Sequence, residues 1–247
     1  MYKKLFRKDF VFCLALGVNA NNPQEWSNFA EKQMRGDRSS SEIVMTIETP
    51  NWSRTLEINS DVEGKNLALS TITAPAKEKG IRTLRVENSM WNYFPKLKRK
   101  IAVSSSMLLA SWMGSDFTND DVLKASSMAQ DYNHKFLPKQ KKSGIEYKVI
   151  ENKAKDDAKV MWPKIITYAS LKDCLPRQYH YYDKQNKLKR ILTLDKIKVF
   201  DGHKVPTEWV MQPQDDLKKK TTLLYKKMTF KTKFKPNYFT QKNLTDY

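Results

Sequence analysis

Apolar and polar residues alternate over much of this chain, which is the two-residue period of β-strands with one buried face. The clearest example is residues 43–47, where Ile43, Met45 and Ile47 alternate with polar or smaller neighbours. The same reading predicts further strands at residues 52–59, 67–71, 81–86, 90–94, 101–103, 145–150, 162–171, 178–182, 188–199, 205–211 and 221–233. Short strands separated by turns indicate a mainly β protein with an antiparallel sheet.

Two segments depart from this period and predict helices. Trp26, Phe29 and Ala30 recur at helical spacing within residues 23–34, ahead of Gly36. Later in the chain Thr118 is followed three residues on by Asp121, which is the spacing of a capping box at a helix start. Residues 138–142, which begin with a proline, are expected to form the loop that closes this second helical part.

The first 20 residues have the layout of an export signal. A basic start is followed by an apolar run at residues 10–18 and by the small-x-small sequence Val18-Asn19-Ala20. A buried first helix or strand is the alternative. The expected organisation is a cleaved signal peptide at residues 1–20 and one exported domain at residues 21–247. Cleavage would remove Cys13 and leave Cys174 as the one cysteine, so we expect no disulfide in the mature chain.

The net charge of +18, from 45 Lys and Arg against 27 Asp and Glu, raises the possibility of nucleic-acid binding. Lysine is, however, spread over nearly every predicted strand and turn. Lysines spread in this way commonly keep a protein soluble and protect the edges of its sheet from pairing with other chains. They would also attract anionic lipid head groups. Together with the export signal, this distribution argues against nucleic acid as a partner.

The residue types of a catalytic or metal centre are not arranged as such a centre requires. His134, His180 and His203 lie far apart in different predicted elements, so their spacing does not indicate a metal site. Cys174 has no base in its local pattern and is expected to be a small half-buried residue. Gly114-Ser115-Asp116 lacks the flanking pattern of a nucleophile elbow. The sequence therefore predicts neither an enzyme nor a cofactor.

Residues 89–123 are rich in Trp, Met, Leu and Phe side chains, which must either be buried in a core or take part in binding. These side chains would fill an ordinary core, or they would line a hollow for acyl chains between a curved sheet and a helix. The candidate cavity residues are Trp91, Tyr93, Met107, Leu109, Trp112, Met113 and Phe117, with Trp162 from a later strand.

The same region carries the most specific motifs of the chain. They are Met90-Trp91-x-Tyr93-x-Pro95 and the run WMGSDF at residues 112–117, followed by Asp120 and Asp121. These residues resemble the LolA-like outer-membrane lipoprotein-sorting family, and the resemblance extends over roughly residues 26–244. It implies an incompletely closed antiparallel β-barrel covered by helices, of mainly β or α+β class, with a hydrophobic cavity.

The resemblance also implies a function. Such a protein would be a soluble periplasmic carrier for lipoproteins or other apolar lipids, without catalytic activity, holding their acyl chains in its cavity. Its implied partners are lipoprotein acyl chains or lipid, and an inner-membrane transporter of the RND class. The alternative that the residues leave open is a non-enzymatic periplasmic or surface interaction protein with no ligand cavity.

Overall fold

The fold is built on one 13-stranded antiparallel sheet. The computed structural model describes residues 21–123, 128–142 and 144–246; the predicted signal peptide lies outside them. The strands are β1 (Arg38–Glu48), β2 (Ser53–Glu63), β3 (Leu67–Ala74), β4 (Arg82–Val86), β5 (Ser89–Phe94), β6 (Arg99–Ala102), β7 (Tyr132–Lys142), β8 (Ile145–Ala154), β9 (Lys164–Ser170), β10 (Pro176–Tyr182), β11 (Leu188–Phe200), β12 (His203–Pro213) and β13 (Lys220–Thr229). The helices are α1 (Pro23–Arg35), α2 (Asn119–Leu123), α3 (Met128–Asp131) and α4 (Gln241–Thr245).

The strand order places the middle of the chain at the two edges of the sheet. The order is β6-β5-β4-β3-β2-β1-β13-β12-β11-β10-β9-β8-β7, so sequence neighbours pair throughout except where β1 meets β13. Strands β6 and β7 are the two edges and do not pair with each other, so the barrel is incompletely closed. The predicted fold class is confirmed.

Helix α1 begins and ends at residues whose chemistry suits those positions. The Asn22 side chain accepts a hydrogen bond from the amide of Gln24 at 3.0 Å, and Pro23 occupies the first turn, where no amide donor is needed. Gly36 ends the helix at φ +60°, a conformation that favours glycine. A Cβ there would lie only 2.6 Å from the Phe230 ring. The helix predicted at residues 23–34 is confirmed, with one residue more.

Part of the sheet is buried on both faces. Met45 and Leu56 are fully buried in the concave core, together with Met90 of β5. On the outer face, Leu69 and Leu84 are buried under the C-terminal residues. The outer cluster also holds Trp91, Tyr93, Phe234, Tyr238, Phe239 and Leu244.

The loop predicted at residues 138–142 is wrong, since these residues belong to strand β7. Proline removes one donor from a sheet, and this is tolerated best at an edge or a bulge. Strand β7 is an edge strand, and its register with β8 shifts between Leu137 and Gln140, on either side of Pro138. The topology therefore accommodates a residue that locally favours a turn.

His180 on β10 provides a pH-dependent prediction. Its ring lies beside Tyr168, with centroids 4.6 Å apart, and burial lowers its pKa from 6.5 to about 4, aided by the charge of Lys142. The unfolded chain therefore binds this proton first as the pH falls, so stability is complete above pH 6.5 and declines toward pH 4. Urea denaturation across that window should show a smaller decline for His180→Gln than for the unsubstituted protein. Identical declines would contradict the assignment.

Among the described residues, no helix is both long and apolar enough to cross a membrane.

Candidate functional site

A cavity of about 300 Å³ lies between the sheet, helix α1 and the connection from β6 to β7. That connection, residues 103–123 and 128–131 as far as the structure describes it, is here called the crossing segment. Strands β1, β2 and β3 contribute to the cavity on one side, and β7 to β13 contribute on the other. The volume is at the lower end of the range of small-molecule sites, about 300–1,000 Å³.

Helix α1 presents one face to the cavity. Its lining residues follow the 3.6-residue period of a helix, because positions three and four apart share a face. They are Trp26, Ser27, Ala30, Glu31, Met34 and Arg35. Since three of them are apolar and two are charged, this helix supplies the cavity with both apolar surface and charged groups.

The sheet opposite supplies a row of hydroxyl groups. Ser41 on β1 is in register with Ser60 on β2, which is in register with Ser70 on β3. The Ser60 and Ser70 hydroxyls lie 3.2 Å apart. These three residues are here called the serine row; with buried Ser39 two positions earlier, they line the cavity.

The remainder of the lining is mostly apolar. Ile43 and Ile58 form the neighbouring register pair beside the serine row. Further apolar and aromatic lining residues are Phe117, Trp112, Val122, Met128, Val160, Trp162, Leu192, Trp209, Met211 and Leu223. An apolar ligand would therefore lose its contact with water along most of its surface.

Three arginines from distant strands hold the crossing segment over the sheet. Arg54 on β2 donates to the carbonyl of Met113 at 2.5 Å. Arg85 on β4, only 2% exposed, donates to the carbonyl of Leu123 at 2.9 Å. Arg190 on β11 forms a two-bond ion pair with Asp121, one of whose bonds is 2.7 Å. Such charge-assisted bonds position the segment because they are strong and directional.

Local hydrogen bonds shape the part of the crossing segment that meets the cavity. The Trp112 amide donates to the Phe117 carbonyl at 2.7 Å, which closes a tight loop, and the Trp112 indole donates to Thr83 at 3.1 Å. Asp121 accepts from the Thr118 amide at 2.7 Å, while its own amide donates to the Thr118 hydroxyl at 3.2 Å. The predicted capping box is confirmed.

Burial changes the proton affinities of the groups around the cavity. It raises the pKa of Glu31, an effect partly offset by a hydrogen bond from the Ala129 amide. Burial lowers the pKa of Arg35, and it lowers that of Arg85 to about 9, with the charge of Arg35 acting in the same direction. It raises the pKa of Tyr225 to about 12. The tyrosines that line the cavity are therefore neutral hydrogen-bonding groups at physiological pH.

Three of the eight candidate cavity residues line the cavity: Trp112, Phe117 and Trp162. Met113 packs against the same core without lining the cavity. Trp91, Tyr93, Met107 and Leu109 are placed elsewhere. Whether any of the eight contacts a ligand stays a prediction.

The expectation that Trp91 and Tyr93 lie close to Trp112 in a shared lining is corrected by the strand period. Because successive side chains of a strand point to opposite faces, Met90 enters the concave core while Trp91 and Tyr93 join the outer cluster. Leu109 is 64% exposed, in a turn of the crossing segment.

The charged residues around the cavity were missed because single arginines carry no local signature. Arg35 closes a predicted amphipathic helix, where a basic residue suits the helix dipole and needs no ligand. Arg85 and Arg190 lie within predicted strands. Two features of the sequence could have indicated them: an arginine on the inward-facing side of a strand, and a carboxylate, Asp121, that a buried position would require to be paired with a cation.

The described residues hold no cluster of three or more His, Cys, Asp or Glu side chains that could bind a metal. His134 hydrogen-bonds Asn152 at 2.7 Å and His203 stacks on Phe230, so these histidines pack in separate places. Cys174, expected to be half-buried and without a disulfide, is fully buried and disulfide-bonded. Cys13 lies outside the described residues.

A family model described as "Uncharacterized protein" matches residues 64–246, which is more than half of the chain. The chain belongs to this family. The matched residues include β3 to β13 and the crossing segment. No curated protein matches the chain.

Solved structures identify the fold of this family member. A DUF1329 family protein from Desulfovibrio piger is similar with a TM-score of 0.83 and 20% identity, over 90% of this chain and 97% of that one. An outer membrane lipoprotein-sorting protein domain from Vibrio parahaemolyticus gives 0.78 and 23%, over 92% and 100%. A LolA superfamily protein from Nitrosomonas europaea gives 0.77 and 18%, over 91% and 100%. The fold is LolA-like, as the sequence motifs predicted.

Proposed function

We propose that this protein is a carrier that binds a lipid or the acyl chains of a lipoprotein in its cavity. The observation that supports the proposal best is the cavity of about 300 Å³ between the concave sheet and α1. Its largely apolar lining suits acyl chains, each methylene of which contributes about 0.8 kcal/mol when removed from water. The LolA-like fold, shared with a lipoprotein-sorting domain, supports the same class of ligand.

The lining favours binding over catalysis. Two acidic groups that line the cavity are held in structural contacts: Asp121 pairs with Arg190, and Glu31 lies 3.8 Å from Lys65. We therefore propose a carrier and not an enzyme. The alternative of an interaction protein with no ligand cavity is less well supported, because the crossing segment leaves a hollow above the sheet.

The cellular setting extends the same proposal. We propose that residues 1–20, and Cys13 with them, are removed on export, so that the disulfide of Cys174 belongs to the full-length chain and not to the mature one. Residues 21–247 would then act in the periplasm as one domain, receiving the ligand from an inner-membrane transporter of the RND class. N-terminal sequencing of protein recovered from cells would check the first step. Cross-linking in cells would check the second.

Filling the cavity should abolish ligand binding. Ser60 points into the cavity from β2, whereas its neighbour Asn59 is exposed on the opposite face of the same strand. Ser60→Phe places an aromatic ring in the space that an acyl chain would occupy. We expect this variant to lower the affinity for a fluorescent fatty acid, cis-parinaric acid, by at least about tenfold, equivalent to about 1.4 kcal/mol.

Asn59→Phe is the matched control, since it adds the same ring to the outer face and should leave probe binding unchanged. Thermal unfolding of both variants checks that they are folded. Probe binding that survives in a folded Ser60→Phe variant, or no binding by the unsubstituted protein after delipidation, would overturn the carrier proposal.

A further inference from the structure

We propose that the ligand carries an anionic oxygen group, a carboxylate or a phosphate, that binds Arg35 at the serine-lined end of the cavity. This inference rests on the carrier function proposed above and adds the chemical class of the ligand's polar end. Its apolar part would lie along the opposite wall, formed by Trp112 and Phe117. The ligand is therefore an acidic amphiphile.

Arg35 carries a charge that has no direct partner among the described residues, although the Glu31 carboxylate acts on it at longer range. It is the last residue of α1, and its side chain lines the cavity. Its Nε atom is buried without a hydrogen-bond partner, and within residues 21–123, 128–142 and 144–246 its guanidinium forms neither an ion pair nor a hydrogen bond. A buried guanidinium is costly unless a partner supplies acceptor oxygens. The natural complement is a carboxylate or a phosphate, which accepts two parallel bonds from a guanidinium.

The nearest acidic side chain is committed elsewhere. Glu31 lies one helical turn before Arg35, at a spacing that often gives an ion pair. Its carboxylate instead accepts from the Ala129 amide at 3.1 Å and lies 3.8 Å from the Lys65 ammonium. The charge of Arg85, which interacts with that of Arg35, adds to the positive potential at this end of the cavity.

The serine row gives this end the donors that an anionic group requires. Ser41, Ser60 and Ser70 present three hydroxyls in register across adjacent strands. A hydroxyl rotates to donate wherever an acceptor lies. Without a ligand these hydroxyls bond within the sheet: Ser41 donates to the Ser60 carbonyl at 3.3 Å, and the Ser60 and Ser70 hydroxyls lie 3.2 Å apart. An acyl chain adds no acceptor for them, whereas an anionic group does.

Two more lining groups without a hydrogen-bond partner are donors, against one acceptor, the Glu31 Oε2 atom, which lies 3.8 Å from the Lys65 ammonium. The indole nitrogens of Trp26 and Trp162 are buried without a hydrogen-bond partner among the described residues, as Arg35 Nε is. All three residues line the cavity. A lining with surplus donors is complementary to a ligand with surplus acceptor oxygens, and carboxylate and phosphate groups provide acceptors without donors. A neutral hydrocarbon or a cationic amphiphile lacks this complementarity.

The test compares one acyl chain with and without its charge. The mature protein, residues 21–247, is delipidated. Binding of cis-parinaric acid and of its methyl ester is then followed by probe fluorescence. We expect the acid to bind at least about tenfold more tightly, since hydrogen bonds to charged groups are the stronger class. Arg35→Met should lower the affinity for the acid toward that of the ester, and Arg35→Lys should retain part of the preference.

A nearby arginine provides the control. Arg38 is exposed and pairs with Glu63 outside the cavity, so Arg38→Met should leave the preference for the acid intact. Displacement of the probe distinguishes the sources of the anion. Lysophosphatidic acid that displaces the probe better than a non-fluorescent fatty acid of the same chain length indicates a phospholipid, whereas the reverse indicates a fatty acid. Inorganic phosphate alone should not displace, because it lacks the apolar part.

The outcomes separate this inference from the function on which it rests. Equal affinities for the acid and the ester in the unsubstituted protein would overturn the anionic group and leave the carrier function standing. Binding of neither probe would overturn the carrier function itself. A preference for the acid that survives unchanged in folded Arg35→Met would remove Arg35 as its cause and overturn the proposed site.

Discussion

Replacing Arg190 by methionine should lower the free energy of unfolding by about 3–5 kcal/mol. The Arg190 and Asp121 side chains are only 6% and 14% exposed, and the guanidinium also donates to the Asp116 carbonyl at 3.3 Å. It lies over the rings of Trp162 and Tyr181 at 4.3 and 4.5 Å. Methionine would fill much of the space and leave the Asp121 carboxylate buried without its cation. Chemical denaturation measures the change.

An exposed ion pair on the same sheet is the control for this prediction. Arg38→Met breaks the pair with Glu63, whose side chains are 50% and 30% exposed, and should cost less than about 1 kcal/mol. The double variant Arg190→Met with Asp121→Asn should cost less than the sum of its two single changes, because neither charge is then left unpaired. Additive costs would show that the pair does not act as a unit.

The second large effect is expected at Trp112. The residue is 8% exposed, packs in the concave core and donates its indole N–H to Thr83. Trp112→Ala should cost about 3 kcal/mol, at the lower end of the range for buried aromatic residues, because the ring borders a cavity and lacks neighbours on that side. The same variant should weaken fluorescent fatty-acid binding, since the ring is part of the lining.

Two comparisons separate packing from hydrogen bonding at this site. Trp112→Phe keeps an aromatic ring and loses the bond to Thr83, so it should cost about 0.5–1.5 kcal/mol. Trp52 is 48% exposed, and Trp52→Ala should change stability by no more than about 0.5 kcal/mol. A Trp112→Ala variant as stable as Trp52→Ala would mean that the crossing segment does not depend on this side chain.

The local pattern of the sequence was sufficient to predict most of the elements, with strand β7 as the main exception. The alternation of Ile43, Met45 and Ile47 lies within β1, and the helical spacing after Pro23 corresponds to α1. The pairing of Thr118 with Asp121 is local as well, and it forms as expected. These features depend on residues within one or two turns, where backbone preferences and side-chain spacing act directly.

The local pattern could not predict which face of the sheet an apolar strand residue occupies. Met90 and Trp91 are adjacent apolar residues, so either could have faced the cavity, and a shift of one residue exchanges the two faces of a strand. The C-terminal cluster around Phe239 and Leu244 covers the side where Trp91 lies. That cover comes from residues almost 150 positions away, roughly three fifths of the chain. Pro138 likewise became acceptable only because β7 is an edge strand.

By itself, the sequence determined the strands other than β7, the first helix, the capping box and, through its motifs, the LolA-like fold. Only the tertiary structure decided which side chains surround the cavity, which arginines hold the crossing segment and which one remains unpaired. Arg190 and Asp121 are 69 positions apart, and Arg85 and Leu123 are 38 apart. Hydrophobic periodicity reports only on local structure. A buried charge is neutralised by residues that are distant in the sequence and that only the folded sheet brings together.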